Sequence, residues 1–299
     1  MFDPTDLEVD LSGRHILVTG ANSGLGFATA RQLGELGGII HLLCRNPERG
    51  ERACLQLRDE VPEAHFELHI VDMSEMDTIT ECVDGLGALP VYALVHNAGL
   101  LPDTRMLNSD GVELTVATHL VGPDYLTSLL LPNLRKAVAQ YGEARVLFVS
   151  SGGMYTQRFS MKSLANLSGS YNGVKAYART KRAQVLLTEQ LSSELATSGI
   201  AVNCMHPGWA ATPGVQSSLP GFSKMMSSRL RSAEQGADTI IWLTAAAHLK
   251  GKTGRFWFDR REVSTHLLPH TRGGDKSAHL LRPQLRSWRQ QEIPLDANR

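Results

Sequence analysis

Cysteine is scarce in this chain, with 4 in 299 residues (Cys44, Cys54, Cys82 and Cys204) and no C-x-x-C spacing among them. That spacing indicates no disulfide framework, and no metal-ligand set is read from the sequence. Charge of one sign is missing too, because 30 Lys+Arg balance 30 Asp+Glu. No window is a block of one sign, so the electrostatic footprint of a nucleic-acid binder is absent. No apolar run approaches the ~18 residues of a membrane span, the nearest being the Pro-interrupted stretch around Tyr125 to Leu134. The opening Met-Phe-Asp-Pro-Thr-Asp has neither the basic start nor the apolar stretch of a secretory leader. The expectation is a cytoplasmic protein with no nucleic-acid partner and no integral membrane segment. No linker, charge run or internal repeat divides the chain, so a single domain over 1–299 is expected, long enough to bury a full core without staples.

What the chain has is alternation. Strand-length apolar runs recur at His15 to Thr19, Ile39 to Cys44, Phe66 to Val71, Val91 to His96, Arg145 to Ser150, Ile200 to Met205 and Arg255 to Phe258. Several are continuous rather than alternating, as strands buried on both faces are. Between them, helical spacing runs over about 25–36, 48–60, 75–86, 112–138, 174–197 and 233–247. This order implies right-handed crossovers and an α/β, doubly wound Rossmann fold with a seven-stranded parallel sheet. Ligands of such folds lie beyond the carboxyl ends of the strands, so residues just after each run are the candidates for chemistry.

After the first run comes Thr19-Gly20-Ala21-Asn22-Ser23-Gly24-Leu25-Gly26, followed at once by a helical pattern. Glycines at 20, 24 and 26 allow a tight turn and close approach of backbone to a pyrophosphate resting on helix N–H groups. The alternative is a ligand-free glycine-rich turn. At the end of the second run, where NAD-binding folds usually carry a carboxylate, the chain reads Cys44-Arg45-Asn46. A missing carboxylate and a guanidinium donor suit a 2'-phosphate, so NADP(H) is predicted over NAD(H). Asp72, after the third run, is placed to bond an adenine amino group, to cap the next helix, or both. Asn97, Ala98 and Gly99 follow the fourth run, where small residues let backbone approach a ribose or form a tight turn.

Lys181 lies four residues after Tyr177, so both project from one helix face, and a nearby ammonium favours phenolate in a general acid/base tyrosine. Tyr171 and Lys175 share that spacing, but Asn172-Gly173 reads as a turn that puts Tyr171 ahead of the helix, which favours Tyr177. Ser151, just after the fifth run, is the candidate donor to a substrate carbonyl.

Together these residues resemble the short-chain dehydrogenase/reductase superfamily: T-G-x-x-x-G-x-G at Thr19 to Gly26, N-A-G at Asn97 to Gly99, Ser151, Tyr177 with Lys181, and P-G-x-x-x-T at Pro207 to Thr212. The resemblance covers roughly residues 13–260. Val149 to Met154, Met205 to Trp209, Thr212 to Val215, Arg231 to Asp238 and Val263 to His266 are similar to a member-12-like branch related to retinol-dehydrogenase-like enzymes. The resemblance implies hydride exchange with nicotinamide, Tyr177 exchanging a proton with the carbonyl oxygen, Ser151 holding that oxygen, and Lys181 holding the nicotinamide ribose and lowering the tyrosine pKa. It also implies that Asn22, Ser23 and Leu25 contribute around the pyrophosphate, and that Pro207, Gly208 and Thr212 border the nicotinamide. Where the family usually has an asparagine on its fourth helix, this chain has His119, read either as a substitute holder of a relay water or as a packed histidine. The 26-residue interval from Ser151 to Tyr177 exceeds the family's usual one, so a surface loop over 152–176 is expected. Family members often dimerise through their fourth and fifth helices, and a homo-oligomer is compatible with the sequence.

Residues 209–235 are expected to form an apolar lid that selects a lipophilic carbonyl or alcohol, with Phe222 to Met226 at its centre. Residues 261–299 are expected to be a tail with a basic, solvated terminal helix. The leading reading is an NADP-dependent carbonyl reductase or alcohol dehydrogenase; the rival is an NADPH-binding sensor or scaffold with little turnover.

Overall fold

The computed structural model describes residues 7, 9–165, 167–208, 231–267, 269–272 and 276–289. Strands β1 (His15–Thr19), β2 (Ile39–Cys44), β3 (His65–Ile70), β4 (Val91–His96), β5 (Ala144–Val149), β6 (Ile200–Met205) and β7 (Phe256–Phe258) fall on the seven expected runs. They pair in parallel in the order β3-β2-β1-β4-β5-β6-β7. Every residue of β4, β5 and β6 is buried, which is why those runs read as continuous apolar sequence.

An eighth strand, β8 (Arg261–Glu262), pairs antiparallel with β7 and corrects the expected count of seven. Asp259 and Arg260 make the two-residue turn, with φ of 49° and 55°. Such hairpins normally use Asn-Gly or Gly-Gly, and none stands here to be read. Ion pairs hold the left-handed backbone instead: Arg260 Nε donates to Asp238 Oδ2 at 2.9 Å and Arg231 Nη2 to Asp259 Oδ2 at 2.8 Å.

Helices α1 (Gly24–Glu35) and α2 (Pro47–Glu60) cover one face of the sheet with α9 (Ala233–Ala245). On the other face lie α3 (Met76–Leu86), α4 (Leu114–Val116), α5 (Gly122–Leu129), α6 (Leu131–Tyr141), α7 (Met161–Ala165) and α8 (Gly173–Glu194). The single helix expected over 112–138 is therefore interrupted. Between α4 and α5 the chain makes a π-helical turn, Ala117–Val121, and Pro123 follows within the first turn of α5. Proline has no N–H to return to residue 119, four positions back, so the His119 carbonyl is released from the helix ladder. Gln184 Nε2 of α8 donates to it at 2.9 Å. Pro132 likewise starts α6 afresh.

Two further expectations change. Residues 152–176 are no plain surface loop: they hold a 3-10 turn (Gly152–Thr156) and α7, and bury Met154, Phe159 and Leu164. The terminal helix α10 (Leu281–Trp288) is docked rather than solvated, with Leu281 and Leu285 fully buried. Arg282 Nε donates to the buried Asp124 of α5 at 2.7 Å and also pairs with Glu194. Of the expected lid, 209–230 lies outside the described residues. Ser232 caps α9 through a reciprocal box with Gln235. Among the described residues no helix is long and apolar enough to cross a membrane.

Candidate active site

The strand order reverses direction between β1 and β4, which opens a crevice at their carboxyl ends. Thr19 closes β1 there. Its hydroxyl accepts from the backbone N–H groups of Asn97 at 3.0 Å and Ala98 at 2.9 Å, tying the two strand ends together. Asn97 Nδ2 donates to the carbonyls of Thr19 at 2.9 Å and Gly20 at 3.3 Å. The Asn97 side chain is therefore a brace for the glycine turn.

That brace leaves no room for side chains. Gly20 has φ +67°, and a Cβ on it would lie 2.9 Å from Ala98 Cα. A Cβ on Gly26 would lie 2.3 Å from the Gly20 carbonyl oxygen and 2.5 Å from Asn97 Nδ2. Gly24 opens α1 at φ 55°. Ser23 is the N-cap but places no side-chain hydrogen bond on the helix, and the first turn has no acidic residue. The N–H groups of that turn lack a side-chain cap, at the positive end of the helix dipole, an arrangement that fits a pyrophosphate. Ala21 and Asn22 present backbone hydrogen bonds to Cys44, whose buried thiol is pushed up to about 11, chiefly by burial.

Arg45 stands exposed at the end of β2, its Nε 3.7 Å from Asp72 Oδ2. Asp72 accepts from the Ser74 N–H at 2.9 Å and hydroxyl at 2.6 Å, so its first role is to fix the turn before α3. Its second oxygen faces Arg45.

Tyr177 and Lys181 lie on α8, which begins at Gly173 with Asn172 as its cap. Tyr171 is thus ahead of the helix, as its flanking turn predicted, and its hydroxyl donates to Glu113 Oε1 at 3.0 Å. Ser151 stands one residue beyond Ser150 at the end of β5, its hydroxyl accepting from the Gly153 N–H at 3.2 Å. Burial holds the Tyr177 phenol above its ordinary value, outweighing the neighbouring Ser151 hydroxyl, which draws it down. Lys181 is 2% exposed; its Nζ donates to the Val149 carbonyl at 2.8 Å and lies 5.5 Å from the Tyr177 ring centroid. Burial lowers Lys181 to about 8, partly offset by the Cys204 thiol. The expected lowering of the tyrosine by the ammonium is not what this geometry produces.

His119 is fully buried at the π turn, edge-on to Tyr177 with ring centroids 5.5 Å apart. Its Nε2 accepts from the Leu100 N–H at 3.0 Å, so Nδ1 carries the proton and donates to Thr180 Oγ1 at 2.8 Å. Burial first, and Lys181 second, hold the imidazole pKa well below the usual histidine value. A Cβ on Gly99 would stand 3.1 Å from His119 Nε2 and 3.7 Å from Lys181 Nζ.

Pro207 and Gly208 follow β6 at the same edge, Gly208 at φ +75° beside Arg231; Thr212 lies outside the described residues. The sequence reading passed over Thr19, Thr180 and Gln184. The last two recur at i+3 and i+7 from Tyr177, on the helix face that the Tyr/Lys pair already marked.

Over residues 14–221 the chain matches the short chain dehydrogenase family. It is 41% identical over 268 residues to dehydrogenase/reductase SDR family member 12 of Homo sapiens, covering 89% of this chain and 83% of that one. A solved protein of unassigned function from Mycobacterium Paratuberculosis superposes with a TM-score of 0.75 at 24% identity, covering 96% of this chain and 97% of that one. L-sorbose reductase from Gluconobacter frateurii, solved with NADPH and L-sorbose, superposes with a TM-score of 0.69 at 20% identity, covering 88% and 99%.

Proposed function

We infer the reaction from the chain's descent: it belongs to the short-chain dehydrogenase family, oxidoreductases acting on CH-OH and C=O groups of small molecules. The specific proposal is an NADP(H)-dependent carbonyl reductase, or the reverse alcohol dehydrogenase, with Tyr177 as general acid/base. One observation carries it: Ser151 stands close enough to Tyr177 at the carboxyl edge of the sheet to pull its phenol pKa down, with Lys181 buried behind them.

A nicotinamide dinucleotide supplies or accepts the hydride when bound. The turn from Gly20 to Gly26, with Asn22, Ser23 and Leu25, would hold its pyrophosphate, and Arg45 its 2'-phosphate. Asp72, Ala98 and Gly99 would line the adenosine side, and Pro207, Gly208 and Thr212 the nicotinamide side.

Tyr177 does the proton work. Its phenol, held above the ordinary tyrosine value by burial, is protonated at neutral pH, the form that can donate to a carbonyl oxygen. Ser151 donates to the same oxygen and fixes its position. Lys181, an ammonium below about pH 8, offers its remaining N–H groups to the ribose. With both ring nitrogens engaged, His119 is a positioning residue: through Thr180, whose hydroxyl also donates to the Tyr177 carbonyl at 2.9 Å, it fixes the turn of α8 that carries the tyrosine. The lipophilic substrate rests on composition, since Phe222 to Met226 lies outside the described residues.

The test is NADPH consumption by the wild type and Tyr177→Phe across aldehydes and ketones, with NADPH binding followed in parallel. Turnover in the wild type, reduced at least about 100-fold by the substitution with binding preserved, is expected. Binding without turnover in either form selects the sensor reading instead.

A further inference from the structure

Three neighbouring strands place histidines side by side on one face of the sheet. His15 opens β1, His41 lies in the middle of β2, and His69 is next to last in β3. His15 Nδ1 is 2.9 Å from His41 Nε2, and His41 Nδ1 is 2.9 Å from His69 Nε2. The segment His65-Phe66-Glu67-Leu68-His69 alternates, so Glu67 and His65 share the face of His69. Glu67 Oε2 lies 3.3 Å from His41 Nδ1 and 3.8 Å from His69 Nε2. Its other oxygen accepts from His65 Nε2 at 2.8 Å.

We propose that His41, Glu67 and His69 form a binding site for one divalent zinc-class cation, coordinated through Nδ1, Oε2 and Nε2 with water completing a tetrahedron. A tetrahedral ion with bonds of about 2.0–2.2 Å sets its donors roughly 3.3–3.6 Å apart. The three separations here, 2.9, 3.3 and 3.8 Å, bracket that range, so shifts of a few tenths of an ångström admit the ion. Two imidazole nitrogens, borderline donors, beside one carboxylate suit zinc better than calcium or magnesium, which take all-oxygen sets.

The surroundings are those of a supported site. Once Nδ1 of His41 is bound to metal, its Nε2–H points at His15, which accepts at Nδ1 and fixes the ring; His65 does the same for the free oxygen of Glu67. Ligating histidines and carboxylates are held in this way by outer partners. His41 is fully buried, yet its in-register neighbour Leu17 and His69's neighbour Leu43 belong to the apolar cluster on that face. Apolar side chains would cover the sheet there without desolvating three imidazoles. The ion would clip β3, at the edge of the sheet, to β2, and the site is independent of the reaction proposed above.

The experiment uses the full chain freed of metal by chelator and titrated with zinc, with bound metal counted and cobalt(II) used as a visible probe. One equivalent of zinc, an intense tetrahedral-type cobalt spectrum and a zinc-dependent rise in melting temperature are expected. Glu67→Gln and His69→Gln alter partly exposed side chains, so the fold persists, and each should weaken zinc at least tenfold and abolish the thermal shift. No stoichiometric uptake, a weak octahedral-type cobalt spectrum, or zinc affinity unchanged in both variants overturns the proposal.

Discussion

The imidazole of His119 meets the ring of Tyr177 edge-on, with centroids 5.5 Å apart and planes at 84°. The two are joined less by that contact than by Thr180, which accepts from one and donates to the backbone of the other. His119→Ala removes the partner of the Leu100 N–H and opens a cavity in a fully buried site. It should cost about 2–4 kcal/mol of stability, read as a lower denaturant midpoint. His119→Asn supplies the residue usual in the family and should keep carbonyl turnover within about tenfold of the wild type. A much larger fall in turnover at preserved stability would show that the imidazole itself moves the proton.

Arg45 is exposed and only loosely paired with Asp72 at 3.7 Å, so it is available to a phosphate. Arg45→Ala should weaken NADPH about tenfold or more while leaving NADH within about twofold, because a charge-assisted hydrogen bond to the 2'-phosphate is lost and nothing else changes. Fluorescence titration with both cofactors reads this directly, and equal losses for the two would refute the phosphate role.

Gly26 packs against the carbonyl of Gly20 with no space for a methyl group. Gly26→Ala should therefore displace the turn, lower stability by about 1–3 kcal/mol and remove dinucleotide binding. Gly85, whose added Cβ meets nothing within 4 Å, is the control: Gly85→Ala should leave binding intact. A Gly26→Ala protein with wild-type cofactor affinity would be inconsistent with this packing.

Three buried histidines outside the strand row make the fold acid-sensitive. Burial lowers His96 to about 3 and His206 to about 4, and holds His119 well below the usual value. Each is neutral when folded and protonates near pH 6.5 when unfolded. Below pH 6.5 the unfolded chain binds more protons, so their contribution to stability is complete above 6.5 and is lost as pH falls toward 4. Each contributes a slope of up to roughly 1.4 kcal/mol per pH unit. Denaturant midpoints at pH 7.5, 6 and 5 should fall steadily, and a flat profile would contradict it.

Where hydrophobic period decides structure, the sequence is readable: the seven parallel strands lie on their apolar runs to within a residue. What escaped it depends on partners distant in the chain. β8 turns on Asp259 and Arg260, a pair without the glycine of a usual two-residue hairpin turn, and Arg231 and Asp238 hold them. The break at 117–123 was signalled by Pro123, but the destination of the released carbonyl, Gln184, is set by tertiary packing. Glycines, Ser151, Tyr177 and Lys181 were legible because their spacing is local, whereas the fall of Lys181 to about 8 comes from burial that no spacing records. The histidine row was half visible: His65, Glu67 and His69 alternate on one strand, but His15 and His41 join them only through strand register.

Helix α10 packs against the π turn that carries His119, and its Arg282 reaches back 158 positions to Asp124. The wall behind His119 is therefore completed by a helix whose Arg282 stands 158 positions beyond its partner Asp124. Without residues 281–289 the buried Asp124 carboxylate would lose the guanidinium groups of Arg282 and Arg289. A chain clipped before Leu281 keeps Ser151, Tyr177 and Lys181, the groups proposed to react, with an unfinished wall behind them.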